Sequence, residues 1–439
     1  MKCEPWILIA LSAAALVAGC GGESPPAAQP SSCEPPDPAL AERDADELFA
    51  GSEVLRFDFN LPAERWTALK ASASDEEYVE SEVCYQGKSL GVAGLRFKGG
   101  SGTLDECVEE GEEITCPKLS MKVKFDEYVD GQRFYDMRRM NFHAMTRDDT
   151  KLRERLAYDL YREMGVAAPR SAWATLYVNG ETLGLYAVVE EIDGRFVDHH
   201  FPDDQDGALY KEAWPISTET SYYAERIDAN EEEATHAGFV AFAEALAVSE
   251  GQARLAALLE WTDVAELARY MAVDDAIMNF DGASTFYVDD KDGSVSNHNY
   301  FFYEEPSSGT FRLIPWDLDN TLNLAAFENY GEVPHWTEAP ADCAAEFPVY
   351  MGDETVRAPG CDPLFGGLSE DVAGYQAALD DLLAGPFSEA RLQAEVKRYA
   401  DLLRAAVAAD PYGPTVEAWE RSVARLESDI PLMRERLAR

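Results

Sequence analysis

Between residues 53 and 130 apolar and polar positions alternate in short runs, VLRFDFNL, LGVAGLRFKGGSG and KLSMKVKF, the period of half-buried β-strands. In the last run a period of two sets Lys118, Ser120, Lys122 and Lys124 on one face and Met121, Val123 and Phe125 on the other. The period then changes. In TRDDTKLRERLAYDLYREMG, residues 146–165, Leu152, Leu156, Leu160 and Met164 recur at every fourth position; Thr146 or Asp148 can cap the start and Gly165 the end, so a helix is predicted. SAWATLYV and TLGLYAVVEEID flank Asn179-Gly180, a pair suited to a tight hairpin turn. Beyond 211 the pattern is mostly helical, through EEATHAGFVAFAEALAVS and VAELARYMAVDDAIMNF. Two strands return late, HNYFFYEE and FRLIPWDL, joined by PSSG. Residues 326–366 read as a Pro-containing acidic insertion, and the tail from 388 as two amphipathic helices around DPYGP. This order predicts an α+β chain of two lobes, β-rich over 41–210 and mainly helical with a late β-hairpin over 211–439, not an alternating doubly wound sheet.

The N-terminus breaks this pattern. Lys2 precedes the apolar run WILIALSAAALVA, which ends in LVAGC. That resembles a bacterial lipoprotein signal over 1–19, with Cys20 lipidated as the new N-terminus; an ordinary signal peptide or a short membrane anchor is the alternative. Residues 20–40 then read as a Pro/Ser-rich tether. The expected location is the cell envelope, outside the cytoplasm, with the chain held at a bacterial membrane by lipid. Cysteine usage agrees with export. Apart from Cys3 and Cys20 six remain, an even number that suggests disulfides; short loops favour Cys107–Cys116 and Cys343–Cys361, which leaves Cys33–Cys84. No CxxC or HExxH occurs and the histidines do not cluster, so a structural zinc site is not expected.

The chain has 439 residues, 46% of them hydrophobic, and a formal charge of −45. Such a surface repels nucleic acid in general, so no nucleic-acid partner is expected, although a local basic pocket can still hold a phosphate. The plainest reading of the acidity is solubility.

Candidate chemistry gathers around WDLDNTL. Asp317 and Asp319 lie just beyond an apolar strand, where carboxylates need partners and a metal is a simple one. Phosphoryl transfer requires positive charge against the phosphates, carboxylates for a metal, and a base near the acceptor hydroxyl. Lys118, Lys122 and Lys124 line one strand face, and Glu154, near the start of the predicted helix, can orient such a lysine. Lys98, Gly99 and Gly100 belong to RFKGGSG, a turn flexible enough to cover phosphates. Asp281 in NFDG can act as base or hold the acceptor, while Asn299 and Asp317 offer oxygen donors for magnesium. Each has a simpler reading: hairpin turn, solvated strand face, surface helix acid, acidic turn.

Taken together and in order, RFKGGSG, KLSMKVKF, MNFHAMTRDDTKLRERLAYDLYREMG, APRSAWATLYVNGETLGLYAVVEEID, GALYKE, NFDG, HNYFFY and IPWDLD resemble the CotH kinases, an atypical branch of protein kinases related to a spore-coat protein. The resemblance runs from about 90 to 322 and more loosely through the tail. It implies a bilobal kinase-like fold that uses ATP with Mg2+ or Mn2+ and phosphorylates Ser or Thr of a protein. Asp281 matches the catalytic-loop aspartate and Asp317 the metal-binding aspartate, with Asn299 and Asp319 completing the metal shell. A lysine of KLSMKVKF is implied to hold the phosphates, Lys124 first and then Lys118, with Glu154 as its ion-pair partner. Glu190 and Glu191 fall where an adenine-contacting hinge lies, and His298 is read as structural. HRD and VAIK motifs are absent, and the loop 105–116 and the insertion can reshape the site.

Two other readings remain open on sequence alone. WDLDNTL also fits the DxDxT motif of haloacid-dehalogenase-type phosphatases, which demands a Rossmann-like domain around a nucleophilic aspartate. The chain can also be an inactive, lipid-tethered binding module whose acidic groups take calcium or protein partners.

Overall fold

The computed structural model describes residues 33–100, 104–109, 113–231 and 234–438. The signal segment, Cys20 and most of the tether lie outside the described residues.

Strand alternation closes into a barrel. Its strands are β1 (Val54–Asn60), β2 (Val79–Tyr85), β3 (Lys88–Phe97), β4 (Met121–Lys124), β5 (Arg139–His143), β6 (Ser171–Val178) and β7 (Glu181–Glu190). They run in the order β1-β2-β3-β4-β5-β7-β6. Every neighbour pair is antiparallel except β1 and β6, whose parallel ladder closes the ring and leaves no free edge. Phe57, Phe59, Leu95, Met121, Val123, Met140 and Phe142 fill the interior. The alternate residues of β3 to β5 therefore face outward, which puts Lys122 and Asn141 on the wall that meets the second lobe. Asn179 and Gly180 take the left-handed conformations (φ 52° and 83°) that a tight β6–β7 turn requires.

Helix α1 (Arg153–Glu163) starts later than its apolar period suggests. Residues 148–152 are a capping loop instead: the Asp148 carboxylate accepts from the Thr150 amide and hydroxyl and from the Arg153 amide. Leu152, Leu156, Leu160 and Met164 are buried as their spacing predicts, in a core shared with the second lobe.

The second lobe contains α2 (Ala237–Ala247), α3 (Gln252–Trp261), α4 (Val264–Ala276), α5 (Val372–Ala384), α6 (Glu389–Ala409) and α7 (Val416–Leu437). Its strands are β8 (Leu209–Lys211), β9 (Ile227–Ala229), β10 (Phe286–Val288), β11 (Val295–Ser296), β12 (Tyr300–Glu304), β13 (Phe311–Pro315), β14 (Glu346–Val349) and β15 (Glu354–Arg357). They make two four-stranded sheets, β9-β8-β12-β13 and β11-β10-β15-β14. Strand β9 falls in a stretch read from sequence as helical; three residues are too few to show a period. The late hairpin is β12–β13, and its antiparallel pairing rules out the phosphatase reading, whose motif sits in a parallel Rossmann-like sheet. The 326–366 segment is folded rather than loose: it supplies β14 and β15 and a small core of Phe280, Tyr330, Val349 and Val356.

The tail clasps both lobes. Trp419 Nε1 donates to the Thr150 carbonyl at 2.8 Å, and the Tyr399 hydroxyl donates to Asp159 at 2.6 Å. All three disulfides form with the pairing that loop length favours: Cys33–Cys84, Cys107–Cys116 and Cys343–Cys361. Among the described residues, no helix is long and apolar enough to cross a membrane.

Candidate active site

The ends of β8, β12 and β13 meet where the lobes face each other. There Glu212, Met278, Asn299, Asp317 and Leu322 all adopt positive φ, between 51° and 64°. Non-glycine residues in this region cost about 1–3 kcal/mol each and persist only when their surroundings hold them. Here the Trp316 amide donates to the Asn299 carbonyl at 3.0 Å, and the Asn299 amide to Glu212 at 3.3 Å. The Asp317 amide donates to the Tyr158 hydroxyl at 3.1 Å, and the Leu322 amide to the Ile277 carbonyl at 2.6 Å.

Above this floor runs a relay from the barrel. Lys98, at the end of β3, lies 3.0 Å from His143 Nε2 and 5.2 Å from the centroid of the Trp316 ring. His143, the last residue of β5, lies 2.9 Å from Glu154 of α1 through its Nδ1. A charged lysine donates to Nε2, so Nδ1 carries the proton that Glu154 accepts. Ordinary protein kinases use one lysine on a strand and one glutamate on the following helix. In this chain His143 occupies the strand position before the helix, and Lys98 brings the charge from the Gly-rich turn. Burial pushes the Lys98 amine down to about 8, a shift that Lys122 reinforces and Glu191, Asp317 and Glu154 oppose.

The carboxylates crowd against this relay. Ligand atoms of His143, Glu154 and Asp317 lie within 4.8 Å of one another. Asp317 is open to solvent on the cleft floor yet enclosed by protein, and that enclosure raises its carboxyl, with Glu154 and Asp281 adding and His143 and Lys98 opposing. Asp319 is held well above the usual carboxylate range by burial, then by Asp317, Glu154 and Asp148. The two carboxylates in that group, Glu154 and Asp317, with Asp319 beside them, supply the oxygen donors a hard divalent cation takes. Mg2+ or Mn2+ would be held by Asp317 with Asp319 and Asn299, and would screen the phosphate charge that Lys98 also faces. Asn299 spends its Nδ2 on the Asp281 carbonyl at 2.8 Å, which leaves Oδ1 as the donor it can offer.

Asp281 lies on the opposite side, in the loop after α4. Its Oδ1 accepts from the Tyr287 hydroxyl and from His298 Nε2, both at 2.8 Å, and Asn320 Nδ2 lies 3.4 Å from Oδ2. Asp274 anchors the loop, accepting from the Tyr161 hydroxyl and Asn279 Nδ2, each at 2.8 Å. Burial pushes the Asp274 carboxyl up to about 7 against those hydrogen bonds. Burial alone would lower the His298 pKa, but Asp281 outweighs it and the ring is raised.

The remaining sequence candidates divide. Lys122 and Glu191 join the cleft: their ion pair is 2.5 Å long, and Asn141 Nδ2 donates to the other Glu191 oxygen at 2.6 Å. Lys124 is turned to the rim, where it meets Glu127 at 2.7 Å. Lys118 points away to the tail and donates to Asp410 at 2.9 Å and to the Leu185 carbonyl at 2.7 Å. One strand face thus serves three surroundings, because the curved barrel wall passes from the tail across the cleft to the rim. Glu190 is clamped by the Arg170 guanidinium; burial would raise it, but the His200 ring 3.9 Å away and the Arg170 hydrogen bonds hold it down to about 2. Gly99 (φ 132°) donates its amide to Glu76 at 3.2 Å, and the Gly100 carbonyl accepts from Asp105 at 3.3 Å, so the turn feeds the disulfide-closed loop. Residues 101–103 of that turn lie outside the described residues.

Beyond Glu191 a cavity of about 580 Å³ opens, lined among others by Arg139, Asp193, Arg195, Asp228 and Asn230. Sequence reasoning passed over His143, Tyr158, Glu212 and Tyr287; three lie in ordinary strand or helix patterns and Glu212 in the bend after β8, so nothing local marks them out.

The family profile described as CotH kinase protein matches residues 95–432, a span that holds every cleft residue named above. The chain belongs to this family. Inner spore coat protein H of Bacillus subtilis (strain 168) is 23% identical over 293 residues, covering 64% of this chain and 71% of that protein. Among solved structures, the Helicobacter pylori proinflammatory kinase CtkA aligns at 11% identity with a TM-score of 0.31, covering 78% of this chain and 94% of that one. HipA of the Shewanella oneidensis MR-1 toxin–antitoxin system aligns at 11% identity with a TM-score of 0.28, covering 72% and 63%. The CotH kinase chain described here is a two-lobed, kinase-like protein whose site is read from its own residues.

Proposed function

We propose that this chain is a metal-dependent protein kinase that transfers the γ-phosphoryl group of ATP to Ser or Thr of a protein outside the cytoplasm, and that Cys20 carries the lipid tethering it to the cell envelope. One observation supports the catalytic part above all. Lys98, Glu154, Asp281, Asn299 and Asp317, scattered over more than two hundred positions of sequence, converge on one cleft with the chemistry that phosphoryl transfer needs. The anchoring part is supported by the apolar segment ending at Cys20.

Lys98, oriented by His143 and Glu154, lies against the transferred phosphate. Asp317, Asp319 and Asn299 hold the cation, which supplies charge neutralisation on the phosphates. Asp281 receives the acceptor hydroxyl proton as the hydroxyl oxygen bonds to phosphorus and the bond to the β–γ bridging oxygen breaks, releasing ADP. The nucleoside end extends past Lys122 and Glu191 toward the cavity at Asp193 and Asp228. Incubation of the chain from residue 20 onward, which keeps the Cys33–Cys84 disulfide, with γ-labelled ATP and Mg2+ or Mn2+ tests this reading. Label on protein that Asp317→Ala and Asp281→Ala both abolish is the expected result; no transfer and no nucleotide binding with either metal overturns it in favour of a binding module.

A further inference from the structure

The 326–366 insertion reaches the acceptor aspartate. Strand β15 of the insertion pairs with β10, with Val356 opposite Tyr287. The turn after β14 brings the Tyr350 hydroxyl to 3.1 Å from the Tyr287 hydroxyl. Tyr287 spends its single proton on Asp281, so Tyr350 is the donor in that second contact. His298 lies flat against Tyr287, ring centroids 5.0 Å apart and planes within 5°, and donates to the same Asp281 oxygen.

We propose that Tyr287 and His298 are positioning residues for Asp281, braced by Tyr350 of the insertion, and that together they turn the second carboxylate oxygen toward the acceptor hydroxyl. This rests on the kinase reading above. An aspartate carboxyl rotates broadly about its last torsion. Two donors on Oδ1, each charge-assisted by the carboxylate, stop that rotation, and Oδ2, which takes only the longer 3.4 Å hydrogen bond from Asn320 Nδ2, keeps a lone pair for the acceptor. The insertion therefore completes the acceptor side of the site instead of obstructing it. Tyr287 and Tyr350 suit this role because burial raises both hydroxyls, so each stays a donor at neutral pH.

The test uses Tyr287→Phe, Tyr350→Phe, His298→Ala and His298→Gln in the chain from residue 20 onward, with dephosphorylated casein as the acceptor probe and nucleotide affinity titrated separately. A misplaced reacting group costs up to about a hundredfold. His298→Ala and Tyr287→Phe are expected to lower kcat about tenfold to a hundredfold with the KM for ATP and nucleotide affinity unchanged. Tyr350→Phe is expected to lose less, and His298→Gln, which keeps a donor of similar reach, to recover part of the loss. Wild-type kcat in both Tyr287→Phe and His298→Ala, or a loss confined to the KM for ATP, overturns the proposal. If wild type transfers nothing to casein and binds no nucleotide with either metal, the kinase reading fails on its own account. Crystal structures of wild type and the Tyr287→Phe/His298→Ala double variant then decide the positioning claim: a rotated Asp281 carboxylate supports it, and an unmoved one overturns it.

Discussion

Replacing Lys98 by Met keeps an apolar stem of similar reach and removes the charge that lies over the Trp316 ring. If Lys98 is the phosphate lysine, this deletes one preorganised donor from a partly enclosed cleft. Such a donor is worth about 2.7–4 kcal/mol, or about 10²–10³ in kcat. Stability is expected to change little, since a half-buried amine whose pKa is already lowered to about 8 gives up a desolvation cost as it leaves Asp317 and Glu154 without its charge. The pH profile gives a second signature. Lys98 must be protonated to attract phosphate, and in the free protein it loses that proton near pH 8. Wild-type kcat/KM for ATP is therefore expected to be flat below that value and to fall above it. Lys98→Arg, which stays charged, should lack the alkaline limb while keeping part of the activity. The assay is initial-rate transfer from γ-labelled ATP between pH 6 and 9.5, with thermal melts of each variant. Wild-type kcat in Lys98→Met together with a collapse in Lys124→Met would refute the assignment, as would an unchanged alkaline limb in Lys98→Arg.

Four further outcomes follow from other contacts of the fold. Without metal, Asp319→Asn should raise Tm, because the folded carboxyl sits above its unfolded value of 3.8, so stability falls as pH rises through that window and the amide removes the dependence. Metal at a hundredfold its Kd should stabilise wild type by about 2.7 kcal/mol, and Asp317→Asn should abolish that gain in a melt. Arg170→Ala strands the buried Glu190 and should cost about 3–5 kcal/mol at pH 7 in urea unfolding. That loss should shrink as pH falls from the unfolded value of 4.5 toward 2, where Glu190 is protonated in either variant. Lys118→Met leaves Asp410 with only the Leu185 and Tyr412 amides as donors and should lower stability in urea unfolding by less than Arg170→Ala does, with kcat per folded molecule unchanged.

The sequence by itself determined the strands and helices whose period repeats often enough to read, the two-lobed order, and the disulfide partners, because each depends on spacing along the chain. It also singled out Asp317 and Asp319, since carboxylates just beyond an apolar strand need partners wherever the fold takes them, while Asp281 and Asn299 were drawn in by the resemblance to the CotH kinases. Tertiary structure alone decided which lysine faces the cleft. Lys118, Lys122 and Lys124 share one strand face, yet their partners Asp410, Glu191 and Glu127 come from the tail, the end of β7 and the adjoining loop. It also decided that Lys98 reaches Glu154 through His143, and that Glu190 braces Arg170 while Glu191 borders the cleft. Barrel closure and the clasp of the tail set these pairings. They join residues as far apart in sequence as Lys118 and Asp410, where no local period carries information, and the balance between burial and the nearest opposite charge then fixes what each group does.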